Sequence, residues 1–104
     1  MEWSRLGTMY AQLRIYTINP GRMDEWARWF HERLMPIAEA AGHTVIGPWA
    51  SAAGTDFIWI RVYDSIEDAK LKDQRFYNSP EWVAIASEAR QLIAKTEITE
   101  MSAI

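Results

Sequence analysis

The chain contains no cysteine, which removes disulfides, thiolate metal sites and cysteine nucleophiles together. Histidine is scarce. His31 and His43 are the only two, and with no His-x-His, His-x-x-x-His or Glu-x-x-His spacing no metal site is expected. No glycine-rich phosphate loop and no Gly-x-Ser-x-Gly elbow occur, so nucleotides, flavins and serine-hydrolase chemistry have no motif and no cofactor is expected. No run of about 18 apolar residues exists, which excludes a membrane-spanning helix. Positive charge is also short: 11 Lys and Arg against 14 Asp and Glu leave a net −3, which argues against a nucleic-acid partner. The opening segment carries Glu2 and Arg5 without an apolar core, so it does not read as a secretory leader. Together with the missing disulfides, this makes a cytoplasmic location the expectation.

What remains is one domain's worth of chain, 104 residues and 49% hydrophobic, with an N-terminal extension over 1–9 and a folded unit over 10–104. Six tryptophans stand out, because Trp buries a large area and favours pockets and interfaces. Tyr10–Ile18 is β-branched and aromatic and predicts a strand closed by Asn19-Pro20-Gly21. From Met23 the period becomes helical: Trp26, Phe30, Leu34, Ile37 and Ala41 share a stripe that Gly42 ends, and Pro36 should kink or divide the helix. His43–Ala52 predicts a second strand, with a bulge or edge position at Gly47-Pro48. Phe57–Asp64 is the strongest strand signal. Ser65 with Asp68 reads as a capped helix start running to about Tyr77, Ser79-Pro80 starts another helix, and Lys95–Ser102 alternates as a last strand. The order β-α-β-β-α-β predicts an α+β, ferredoxin-like fold: a four-stranded antiparallel sheet in the order 4-1-3-2, with helices on one face.

Strand alternation divides the sheet chemically. Ile58, Ile60 and Val62 are aliphatic and are expected beneath the helices; Phe57, Trp59, Arg61 and Tyr63 fall on the other side, with Tyr10, Gln12, Arg14 and Tyr16 from the first strand. Trp49 joins them if no bulge intervenes. A free face so rich in rings is expected to meet a second copy, giving a homodimeric α/β barrel with a small-molecule ligand in the enclosed space.

The order of Leu13-Arg14-Ile15-Tyr16, Pro20-Gly21, Tyr63-Asp64-Ser65 and Pro80-Glu81-Trp82 resembles the NIPSNAP family of dimeric α/β-barrel proteins from Tyr10 onward. The resemblance implies a ferredoxin-like fold and a homodimer, and little about reaction. The chain departs from the family pattern at Trp59-Ile60-Arg61-Val62, where a His-Leu-Trp-Arg-like stretch would be expected, and at His43, where the pattern has a plain aromatic.

Arg14 and Arg61 are candidates for holding an anionic or polarised oxygen, among Tyr16, Trp49, Trp59 and Tyr63. The bland alternative is an ion pair with Glu97 or Glu100 on the last strand. His43, Tyr16 and Arg14 are the catalytic candidates, and Arg61, Trp59, Tyr63 and Trp49 the substrate-binding ones; structural roles compete for both histidines and both tyrosines. Three functions stay open: a cofactor-free enzyme for proton transfer, cyclisation or cleavage next to a carbonyl of an aromatic or polyketide-like substrate; a cofactor-independent monooxygenase of the antibiotic-biosynthesis type; and a non-catalytic binding or interaction protein.

Overall fold

A computed structural model describes residues 9–104; the extension assigned to the first residues lies, over 1–8, outside the described part. The elements are β1 (Tyr10–Ile18), α1 (Met23–Trp29), a π-helical turn (Phe30–Leu34), α2 (Met35–Ala40), β2 (Thr44–Ala50), β3 (Asp56–Tyr63), α3 (Ile66–Tyr77), α4 (Pro80–Leu92) and β4 (Ile93–Ser102). The sheet runs β2-β3-β1-β4, antiparallel throughout, so β1 and β3 are central as expected. Pro36 does divide the first helix. It supplies no amide hydrogen, and a wider turn precedes it, closed by Met35 N–H donating to the Phe30 carbonyl. The two later helices start as their caps dictate: Ser65 Oγ accepts from Asp68 N–H and Ser79 Oγ from Trp82 N–H.

The sheet's two faces are the reverse of the sequence expectation. Tyr10, Gln12, Arg14, Tyr16 and Ile18 of β1 and Phe57, Trp59, Arg61 and Tyr63 of β3 are buried, and they lie beneath the chain's own helices. Ile58, Ile60 and Val62 point away from the helices and are only half-covered, with Leu13 and Ile15 beside them in register. The reason lies in the helices' inner surfaces, which are themselves aromatic. Trp26 meets Phe57 edge-on at 5.5 Å, and Phe30 meets Phe57 at 4.7 Å and Trp59 at 5.0 Å. Rings pack edge-to-face with rings better than with a flat aliphatic row. The ring-lined surface therefore cannot be the one that faces a second copy.

A bulge between Ile46 and Trp49 moves Trp49 to the opposite side of the sheet from His43 and Val45. Trp49 pairs with Ile58 and is 51% exposed, so it lies on the aliphatic face, away from both arginines. The last strand begins at Ile93, earlier than its alternation suggests, because α4 passes into it directly.

Candidate functional site

The helix-side face of β1 is a hydrogen-bonded ladder. Gln12 Nε2 donates to Tyr10 Oη at 3.3 Å, Arg14 Nε and Nη2 both donate to Gln12 Oε1 at 3.1 and 2.8 Å, and Arg14 Nη1 donates to Tyr16 Oη at 3.1 Å. Strand geometry makes this possible, since residues two apart share a face. The alternative ion pair with β4 is not among the described contacts: Glu100 accepts from Tyr10 Oη at 2.5 Å, Glu97 pairs with Lys95 at 2.8 Å, and Ile98 stands opposite Arg14. Among the described residues Arg14 is thus buried with uncharged acceptors only, its guanidinium carbon 5.8 Å from the Trp59 ring centre.

Arg61, on β3, is treated differently. Its Nη1 lies 3.5 Å from Asp73 Oδ1 and donates to Tyr77 Oη at 3.1 Å, while the guanidinium stacks over Trp59 at 4.7 Å. Asp73, on α3, collects three further donors. Tyr63 Oη reaches Oδ1 at 2.6 Å, His43 Nε2 reaches Oδ1 at 3.0 Å, and Gln12 Nε2 reaches Oδ2 at 3.3 Å. Burial would raise the Asp73 carboxyl, but the hydrogen bonds from His43 and Tyr63 and the charge of Arg61 outweigh it and hold it at about 2. Burial pushes the His43 imidazole below its usual value, against the pull of Asp73. Burial, then the bond to Asp73, pushes the Tyr63 phenol well up. At neutral pH the cluster is a carboxylate, a neutral His43 donating through Nε2, and a neutral phenol.

Between this face and α4 lies an open cleft of about 440 Å³, with Arg14, Tyr16, Trp26, Arg61, Tyr77 and Trp82 among its walls. Arg90 and Lys95 also line it, and among the described residues no acidic side chain does. A protein of net charge −3 therefore carries a cleft whose charged side chains, among the described residues, are all cationic.

The family model for NIPSNAP matches residues 10–103. The chain belongs to the NIPSNAP family. No curated protein matches it. Among solved structures, an uncharacterized NIPSNAP domain protein from Burkholderia xenovorans superposes with a TM-score of 0.84 at 18% identity, covering 91% of this chain and 94% of that one. A NIPSNAP family protein from Agrobacterium tumefaciens gives 0.84 at 24%, covering 93% and 87%. The architecture extends further: a Nitrosomonas europaea protein provisionally assigned as an antibiotic biosynthesis monooxygenase gives 0.73 at 12% identity, covering 94% and 92%.

Within this NIPSNAP chain the structure brings Arg14, Tyr16 and Arg61 to one cleft. Trp59 is fully buried behind both guanidiniums, and Tyr63 and His43 are held by Asp73. His43 stacks on Phe76 at 5.3 Å and is not on the cleft wall. Trp49 is on the far face, and His31 is exposed beside Phe30. Three site residues escaped the sequence: Asp73, Tyr77 and Gln12. Asp73 had a signal, since Ala69, Asp73 and Phe76 share the helix face turned to the sheet, where an acid demands a buried donor.

Proposed function

We propose that this protein binds an apolar small-molecule anion in the cleft between its sheet and α4, and that it acts on that molecule without a cofactor. The observation that carries this reading is Arg14, a buried cation whose acceptors are an amide oxygen and a phenol. A guanidinium has five N–H groups, and the three bonds described use three of them. An unpaired buried charge is costly, so a ligand oxygen that completes it is strongly favoured. Tyr16 Oη accepts from Arg14 and keeps its own hydrogen for the ligand.

Such an arrangement supports negative charge developing on oxygen, as in cleavage or proton transfer next to a carbonyl that passes through an enolate. Arg14 would stabilise the enolate oxygen, and Tyr16 would donate to it or return a proton. Among the described residues no carboxylate or imidazole lines the wall to take an α-proton, so the arrangement favours cleavage, in which the electron pair of the breaking bond becomes the enolate and Tyr16 returns a proton to carbon. Titration calorimetry with 2-naphthoate and with neutral 2-naphthalenemethanol tests the binding. The expected result is at least tenfold preference for the anion, lost in Arg14→Gln; equal binding of the two, or an unaffected variant, overturns the reading.

The second component is a homodimer formed through the aliphatic face. The outer-face residues Ala11, Leu13 and Ile15 of β1 and Ile58, Ile60 and Val62 of β3 carry no charge, so two copies can meet there without like-charge repulsion.

A further inference from the structure

The cleft carries the same donor device twice. Arg14 Nη1 donates to Tyr16 Oη at 3.1 Å, and Arg61 Nη1 donates to Tyr77 Oη at 3.1 Å. A phenol oxygen occupied by a guanidinium still has its own hydrogen to give, and among the described residues neither hydroxyl finds an acceptor. Arg14 stands opposite Trp59 and Arg61 opposite Gln12, so the two arginines are diagonal neighbours across β1 and β3. Their side chains start about 7–8 Å apart. Among the described residues Trp26 Nε1 and Arg61 Nε, both buried, find no acceptor, and both residues line the same wall. The cleft therefore offers two separated sets of hydrogen-bond donors, and among the described residues no carboxylate lines it, Asp73 reaching only Arg61 from behind the wall.

The two devices differ in charge. Arg61 has Asp73 at 3.5 Å, so its site is close to neutral. Among the described residues Arg14 has no carboxylate partner, so its site is positive. A full negative charge is favoured at Arg14–Tyr16. At Arg61–Tyr77 it would meet the field of Asp73, and an uncharged carbonyl oxygen fits better. Phe76 and Trp82, rings 4.8 Å apart, line the space beside the second device and suit a flat apolar body.

We propose that the ligand is an aryl or alicyclic oxo acid, its carboxylate or enolate oxygen on Arg14–Tyr16 and its neutral carbonyl on Arg61–Tyr77. This rests on the reading of the cleft as an anion site and names the molecule it takes. Calorimetry compares 4-oxo-4-phenylbutanoate with 4-phenylbutanoate, which lacks only the ketone oxygen, and with phenylsuccinate, which carries a second carboxylate. The oxo acid is expected to bind at least tenfold tighter than either. Tyr77→Phe, its fold checked by circular dichroism, should cut the preference over 4-phenylbutanoate to under threefold. Asp73→Asn frees the charge of Arg61 and should shift the balance at least fivefold toward phenylsuccinate. Equal binding of oxo and deoxy acids overturns this inference while leaving the anion site standing, as does an undiminished preference in Tyr77→Phe or tighter phenylsuccinate binding by the unaltered protein. Failure of all three probes at 1 mM overturns both readings.

Discussion

Asp73 receives His43, Tyr63 and Gln12 and stands beside Arg61, so one carboxylate orients both halves of the cleft: Arg61 directly and Arg14 through Gln12. Its pKa in the folded chain, about 2, lies below the ordinary 3.8. A depressed carboxyl stabilises the fold above the unfolded value and loses that contribution as pH falls through the folded one, here between roughly 4 and 2, worth about 2 kcal/mol. His43 is depressed from 6.5 by burial, so its share is complete above pH 6.5 and declines as pH drops below it. Denaturant unfolding of the unaltered protein and Asp73→Asn across pH 7 to 2 should show the variant less stable at pH 7 by about 2 kcal/mol, with the two converging toward pH 2. A gap independent of pH would mean that the carboxylate's charge is not what holds the cluster. Reading the sequence for histidines, tyrosines and arginines singled out Arg14, Arg61 and Tyr16, which the structure brings to one cleft, because these types announce their chemistry. Asp73 and Gln12 do not, since exposed acids and amides are common and only the pairing across β1 and α3 distinguishes these two.

At the scale of elements, what was legible was whatever local chemistry decides alone. Ser65 and Ser79 cap their helices, Pro36 divides the first helix, and alternation defines β1 and β3 almost to the residue. β2 was legible only in part, because its bulge changes which side each later residue takes. Gly47 sits at φ +99°, and a Cβ built there would lie 2.7 Å from the Trp49 ring, so the strand's shift depends on glycine twice over. Gly47→Ala is expected to destabilise the protein by about 1–3 kcal/mol through backbone strain and displacement of Trp49. Thermal unfolding measures this. Because Trp49 lies on the far face, 2-naphthoate affinity should stay within twofold, and a larger change would place Trp49's strand in contact with the site after all.

For the whole molecule, the order of strands followed from connectivity, but the choice of covered face did not. Alternation separates a ring-lined face from an aliphatic one and is silent on which of them the helices take. That depends on the fit of Trp26, Phe30 and Phe76 to the rows below them, a property of two surfaces at once. With the rings beneath the helices, Ile46, Ile58, Ile60, Val62, Leu13 and Ile15 are left on a sheet face that none of the described helices covers. The radius of gyration, 14.4 Å, exceeds the roughly 13 Å of a rounded chain of this length, and the shortest dimension is 18 Å, consistent with a two-layer slab open on one side. Burying an aliphatic side chain contributes about 1.5–3 kcal/mol, so several such residues meeting their copies would offset the cost of association. Sedimentation at micromolar concentration should therefore find a dimer, and Ile60→Glu, which places like charges at the centre of the proposed contact, should give a monomer with an unchanged circular dichroism spectrum. The cleft opens beneath the helices, on the other side of the sheet, so the monomeric variant should still bind 2-naphthoate. Loss of binding on dissociation would show that the two faces are coupled, and a monomer in the unaltered protein would leave the aliphatic face for another occupant.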